Sequence, residues 1–320
     1  MANKHQLKKV KTALLSMQRH SWEQGVAMQA FWELGDYDTA IQLAIEAAYR
    51  THDDGRLASI GDMVAQTDPS ACGEVLLWAA KHTQIEALQQ AVYNLLDFNL
   101  HKAPRNQDGI LYHMNYDKSF WVDSIYMLPP FLAAAGHFDE AIKQINGYVN
   151  ALFIKQKQLL GHRYDDETKT FQRDVAWATG NAWALAGFAR VIDLLPQSYA
   201  SQRSQLVTMA QTLHTNMLKH ISQHHIFHDI LDDDTSFLDG ASTLLFAYST
   251  YRGITSRWLQ EDSAYLADKM FDAVTKNIDT YGFVRNVAGA PHFMTLGISP
   301  EAQSFYLLAY SAKHNLKENI

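Results

Sequence analysis

Repetition is the feature that most constrains this chain. Apolar residues recur at helical spacing over about 5–19, 22–34, 37–51, 70–82, 84–99, 120–135, 137–155, 177–194, 200–220, 239–252, 258–276 and 301–313. Short turns such as Gly35-Asp36 and Gly136-His137-Phe138-Asp139 join several of these segments. Such turns make neighbours antiparallel, so the helices pair as hairpins. Between the pairs a second pattern returns, a turn signal followed by a short alternating or β-branched stretch. It reads DDGRLAS around Gly55, QDGILYH around Gly109, QLLGHRYDD around Gly161, HHIFHDILDD around Phe227 and TYGFVRN around Gly282. The repeat is roughly 50–65 residues, the scale of one supersecondary unit. The pattern predicts an all-α fold, a closed ring of helical hairpins carrying short β tongues. An open solenoid has the same pattern but leaves atypical, polar terminal repeats, and the lysine-rich first helix is compatible with that too. No Pro/Ser/Gly-rich linker interrupts the 320 residues, so one domain spanning 1–320 is expected.

Composition narrows the function classes. The chain is 47% hydrophobic, enough for a large core, and its net charge of -7 comes without a long basic run. That balance argues against a nucleic-acid or anionic-membrane partner. No apolar run reaches the ~20 residues of a membrane span. The basic N-terminus is broken by Lys11 and Thr12 and reads as an amphipathic helix rather than a signal peptide. A single cysteine, Cys72, excludes an internal disulfide and fits a reducing, cytoplasmic compartment.

Chemistry-bearing residues stand out by their surroundings. Phe120 to Gly136, FWVDSIYMLPPFLAAAG, sets one carboxylate, Asp123, among large apolar groups. Such a group must be paired, hydrogen-bonded or protonated, and a protonated carboxyl is a candidate general acid. The competing reading puts Asp123 in the first turn of a helix, where the dipole would lower its pKa. Asp68, in Asp68-Pro69-Ser70, is either an N-cap or a second acid at the mouth of the ring. Trp22, Trp121, Trp177 and Trp183 lie beside polar or glycine-rich turns, as core residues or as sugar platforms. His113, His162 and His228 recur at similar points of the tongues and can orient a hydroxyl or a neighbouring loop. Gly180-Asn181 opens a helix, either as its cap or as a cradle for a ligand oxygen. The sequence contains no HExxH or CxxC, and no metal site is expected.

These motifs together resemble the unsaturated glucuronyl and rhamnogalacturonyl hydrolases, glycoside hydrolase families 88 and 105. WVDSIYMLPPFLAAAG is similar to their W-x-D-x-x-Y-M-x-x-P-F-L-A segment. RHSWEQGVAMQAFWELGD, TDPSACGEVLL, GHRYDD, WATGNAW, FHDILDDDTSFLDGAS and GAPHFMTLGISPEAQSFYLLA resemble further units, from about Arg19 to Ala312. The resemblance implies an (α/α)6 barrel of six hairpins with the site at one end. It implies a substrate, a small oligosaccharide ending in a 4,5-unsaturated uronic acid left by a polysaccharide lyase. An acid protonates C4 of the enol ether, water adds at C5, and the hemiketal opens to release the next sugar. Asp123 matches the acid/base position and Asp68 the second acid, expected to raise the pKa of Asp123. His162, Asn181 and Trp183 match substrate-binding positions, and no cofactor is called for. One departure stands out: Thr179 occupies a position where many relatives carry arginine, the natural partner of a uronate carboxylate. Arg19, Arg163, Arg173 and Arg285 are candidate replacements.

Two rivals share the fold. An inverting hydrolase of a saturated glycoside needs a base on the opposite face, with Glu23, Glu74 and Glu301 as candidates. A non-catalytic ring that binds a sugar or a protein needs neither acid.

Overall fold

In a computed structural model, residues 4–61 and 63–319 are described; residues 1–3, 62 and 320 of the expected domain lie outside them. The chain runs through α1 (Lys4–Met17), α2 (Ser21–Glu33), α3 (Tyr37–Tyr49), a 3-10 turn (Asp68–Cys72), α4 (Gly73–Thr83) and α5 (Glu86–Asp97). It continues through β1 (Ser119–Trp121), α6 (Ser124–Met127), α7 (Pro129–Ala134), α8 (Phe138–Leu152), β2 (Phe153–Ile154), β3 (Leu159–Leu160), β4 (Arg163–Asp165) and β5 (Thr170–Arg173). It ends with α9 (Ala178–Leu194), α10 (Ala200–Leu218), β6 (Phe227–His228), β7 (Leu238–Asp239), α11 (Gly240–Thr255), α12 (Ser263–Thr275), β8 (Val287–Ala288), β9 (Leu296–Gly297) and α13 (Pro300–Asn319).

Burial sorts these helices into two layers. α2, α9 and α11 are buried on nearly every side, because each packs between two inner neighbours and an outer helix. α3, α5, α8 and α12 bury a single stripe and present polar residues to solvent. Each inner segment before α13 is followed by its outer partner, and α13 closes the ring by packing on α11, α2 and α1. The lysine-rich α1 is therefore the outer partner of α13 rather than a solenoid cap. The result is the expected (α/α)6 barrel.

Close helix approach depends on small residues. A Cβ on Gly25 would sit 2.5 Å from the Ala71 carbonyl carbon, and one on Gly187 2.3 Å from the Ile125 carbonyl oxygen. The second contact presses α9 against the start of α6, immediately behind Asp123. Toward the other end of the ring, Arg190 binds Glu33 and Glu74 at 2.6 and 2.9 Å and Tyr248 Oη at 2.6 Å, a buried ionic plug.

The helix expected over 120–135 does not form as one piece. Phe120 and Trp121 pair with Tyr164 and Arg163 in a three-stranded sheet of order β1-β4-β5, and the helical part breaks at Leu128 before Pro129-Pro130. Strand pairing across forty residues leaves no mark on local periodicity, whereas the double proline removes two donors and its first ring disfavours helix at the preceding residue. The tongues around Gly161 and Phe227 form hairpins, β4–β5 and β6–β7; those around Gly109 and Gly282 shrink to isolated bridges, Arg105 to Leu111 and Ile278 to Val284, the stretch around Gly55 is a turn without a strand, and β8–β9 pairs beyond the last of them.

Candidate active site

All six inner segments begin at the same end of the ring, and their first residues wall one cavity of about 520 Å³. His20, Ser21 and Trp22 open α2, Asp68 opens the 3-10 turn, Asp123 precedes α6, Trp177 and Thr179 open α9, Ala241 lies at the start of α11, and Ser299 and Glu301 open α13. The tongues add His113, His162, Arg163 and Arg173, and Met63, Phe293 and Met294 are among the apolar residues of the lining. This volume suits a sugar-sized ligand.

Asp68 and Asp123 are brought together by the residues beside them. Thr67 Oγ1 and Ser124 Oγ are 3.2 Å apart, and both bond His113 Nδ1, at 2.8 and 3.0 Å. Neither carboxylate caps its helix: no side-chain cap bond forms at the Asp123 end of α6, and Thr67 takes the cap position of the 3-10 turn. Asp123 keeps 16% of its side-chain surface accessible, and its Oδ2 is shielded without a hydrogen-bond partner. Burial pushes its pKa up to about 6, against the pull of Arg163 and Arg173. Asp68 is raised further, by burial first and then by the charges of Asp123 and Glu301. Both acids are thus raised, each by burial first, and like-charge repulsion between them adds to that effect.

Two neutral histidines flank the acids. His113 Nε2 lies 3.7 Å from Asp68 Oδ1, and burial lowers its pKa to about 3. His162 Nε2 lies 3.9 Å from Asp123 Oδ2. Burial, with Arg163 and Arg173 adding, holds the His162 pKa well below its ordinary value. Arg173 Nη1 donates to His162 Nδ1 at 2.8 Å, while Arg163 Nε approaches Nε2 at 3.4 Å. A neutral ring accepts at one nitrogen only, so the shorter bond puts the ring proton on Nε2, facing Asp123.

The tryptophans differ in what they leave open. Trp121 is sandwiched: His113 stacks on it at 4.3 Å and the Arg163 guanidinium lies 3.5 Å from its centroid, which requires opposite faces. It therefore offers an edge rather than a platform. Trp183 is 2% exposed, held by Tyr126 and Phe305, and forms part of the cavity floor. Trp177 donates to Asp229 at 3.0 Å. Trp22 stacks on His20 at 4.5 Å. Asn181 does not reach the cavity at all. Its Oδ1 accepts from Leu160 N–H and its Nδ2 donates to the Leu160 and Trp177 carbonyls, each at 2.9 Å, so it clamps β3 to α9.

Glu301 is the functional candidate that sequence reasoning underused. Trp22 Nε1 donates to its Oε1 at 2.5 Å, its Oε2 is buried and unpartnered, and burial followed by the Glu23 charge raises its pKa to about 7. The available signal was an acid at an inner-helix start beside a proline, Pro300-Glu301, as at Asp68-Pro69. The other two candidate bases are committed elsewhere. Glu23 Oε2 accepts from the Arg19 and His20 amides at the start of α2, and Glu74 binds Arg190. Of the four arginine candidates, Arg163 and Arg173 line the cavity; Arg19 bonds the Ser16 and Gln18 carbonyls and Arg285 lies 4.0 Å from Asp279, both outside it. Cys72 is buried with its thiol pKa pushed up to about 12, which keeps it protonated and inert.

The family model described as Glycosyl Hydrolase Family 88 matches residues 1–297. The chain belongs to glycosyl hydrolase family 88. Among curated proteins it is 23% identical over 244 residues to an unsaturated rhamnogalacturonyl hydrolase of Bacillus subtilis, covering 69% of this chain and 66% of that protein, just under two thirds of its length. Among solved structures it resembles a protein described as a possible member of family GH105 from Salmonella enterica, with a TM-score of 0.85 and 20% identity over 99% of this chain and 94% of the other. A family 88 glycosyl hydrolase from Bacteroides vulgatus superposes with a TM-score of 0.78 at 16% identity, over 98% of each chain. At these identities the structural likenesses establish the fold of a family 88 chain.

Proposed function

We propose that this family 88 chain is a glycoside hydrolase that removes a 4,5-unsaturated uronic acid from the non-reducing end of lyase-generated oligosaccharides by hydrating its double bond. The observation that carries the reading is the state of Asp123. It is a largely buried carboxyl on the cavity wall, with a shielded, unpartnered oxygen and a pKa raised to about 6. A group so poised can give a proton and take one back near neutrality, as efficient acid–base catalysis requires.

In this mechanism Asp123 delivers its proton to C4 of the enol ether. The electron pair of the double bond forms the new C–H bond, and positive charge develops at C5, shared with the ring oxygen. Water adds at C5 and returns a proton to the Asp123 carboxylate. The hemiketal at C5 then opens, and the bond to the next sugar, now at an exposed hemiacetal, is released. Asp68, kept neutral by burial, donates a hydrogen bond to a sugar hydroxyl. His162, protonated on Nε2, supports the transient Asp123 carboxylate. Trp22, Trp177 and the floor residue Trp183 bound the sugar ring.

The inverting alternative needs a carboxylate that stays ionised on the opposite face as its base. Glu23 and Glu74 are engaged in structural contacts, so that reading rests on Glu301 alone, whose carboxyl burial holds above the usual glutamate range. The test is turnover of a panel of unsaturated disaccharides by wild type beside Asp123→Asn. The reading expects loss of the double bond with wild type alone, and it fails if a folded wild-type protein turns over none of the panel.

A further inference from the structure

The β4–β5 hairpin sets Arg163 directly opposite Arg173, with Trp121 of β1 next in the same row. Like charges facing each other across an antiparallel pair repel, and sheets ordinarily avoid the arrangement. The register slips by one residue between Arg163 and Tyr164, leaving Gln172 as a bulge, and both guanidinium groups line the cavity. Among the described residues neither has a carboxylate within 4.0 Å. Arg50, Arg56, Arg105, Arg190 and Arg252 each have one. The two cationic groups are nevertheless held in place, Arg163 by the face of Trp121 and Arg173 by His162. At the start of α9, where the resemblance suggested an arginine, Thr179 donates its hydroxyl to Asp239 at 2.8 Å and supplies no cation.

We infer that Arg163 and Arg173 form the seat of the substrate's carboxylate group, and that docking of this anion fixes the proton on Asp123. This rests on the uronate reading above and names the residues that select for the acid. Two preorganised guanidinium forks suit a planar carboxylate. The coupling follows from position: Arg163 and Arg173 face each other beside His162, next to Asp123, and both favour its carboxylate form. A carboxylate bridging them cancels that field, so Asp123 holds its proton to higher pH with substrate bound than without it. The acid becomes competent when the correct anion arrives.

The experiment uses the full chain as wild type, Arg163→Gln, Arg173→Gln and Arg163→Lys, with an unsaturated disaccharide and its neutral methyl ester. Equilibrium binding of galacturonate and of galactose to Asp123→Asn, alone and combined with each Gln change, is followed by tryptophan fluorescence. Each Gln variant is expected to raise KM for the acid by at least ~10-fold and KM for the ester far less, with Arg163→Lys in between. In wild type the acidic group seen in kcat is expected to titrate at higher pH than in kcat/KM, and the gap should narrow in Arg163→Gln, an effect that loss of packing alone would not produce. Turnover with the acid–ester preference intact in both Gln variants overturns the carboxylate seat and leaves the hydration reading standing. Galacturonate binding that is lost in the Gln variants, with no turnover of any unsaturated substrate, keeps the seat and removes the hydration reading. Equal binding of galacturonate and galactose to Asp123→Asn overturns the seat outright.

Discussion

Replacing Asp123 by Asn should make the protein more stable at neutral pH while abolishing the proposed chemistry. The folded state moves this carboxyl from an ordinary pKa of 3.8 to about 6. A raised pKa means that the folded protein holds the proton more tightly than the unfolded chain. The associated stability is fully present below about pH 4 and is lost as pH rises through about 6. Two pKa units at 1.36 kcal/mol each give a penalty of about 3 kcal/mol in wild type above pH 7. Asn has nearly the same shape and never ionises, so it escapes the penalty. Urea unfolding of both proteins at about pH 7.5 should show the variant more stable by up to about 3 kcal/mol, with the difference closing near pH 4. The helix-dipole reading of Asp123 predicts the opposite sign, a loss of about 0.3–1 kcal/mol at neutral pH. A variant no more stable than wild type at pH 7.5, or a difference independent of pH, would refute the argument that burial raises this acid.

The same physics yields three further expectations. Glu301→Gln should stabilise the fold more at about pH 8 than at pH 5, because wild type loses stability as pH rises from 4.5 through about 7; equal effects at both pH values in urea melts would contradict the raised pKa. Gly187→Ala forces a methyl against the Ile125 carbonyl, so thermal melts should show a cost of about 1–3 kcal/mol and assays a lower kcat, through displacement of the backbone just after Asp123. Asn181→Ala should cost about 1–3 kcal/mol by orphaning the Leu160 amide and carbonyl while leaving KM near wild type, since the amide clamps backbone and touches no ligand; a KM effect without destabilisation would restore it to the substrate site.

Much of the fold was legible because the helices repeat and their turns are short. What periodicity could not reveal was contact between distant segments. Trp121 read as part of a helical stripe, yet it is a strand residue paired with Arg163 forty-two positions on. Asp123 was legible for a local reason, a lone acid among aromatic and aliphatic residues, and burial of that segment is what raises its pKa. Asp68 was visible as a helix start, but its lack of a capping bond and its rank as the deeper acid depend on His113 and Glu301 from other units. Glu301 needed the closure of the ring, because its partner Trp22 lies 279 residues away. Asn181 carried the right motif and the wrong expectation, since the Leu160 backbone that engages its amide is nonlocal. The arginine question shows the same limit: Thr179 marked the absence of a cation locally, while the pair that lines the cavity is assembled by strand register.

The central claim is that water adds across the double bond instead of attacking the anomeric carbon. The most direct measurement follows, in one reaction, the ultraviolet absorbance of the conjugated enol ether and the appearance of the released sugar. The account predicts that wild type loses absorbance in step with sugar release, and that Asp123→Asn slows both by at least ~10²-fold. Sugar release with the absorbance retained would place the attack at the anomeric carbon and contradict the account.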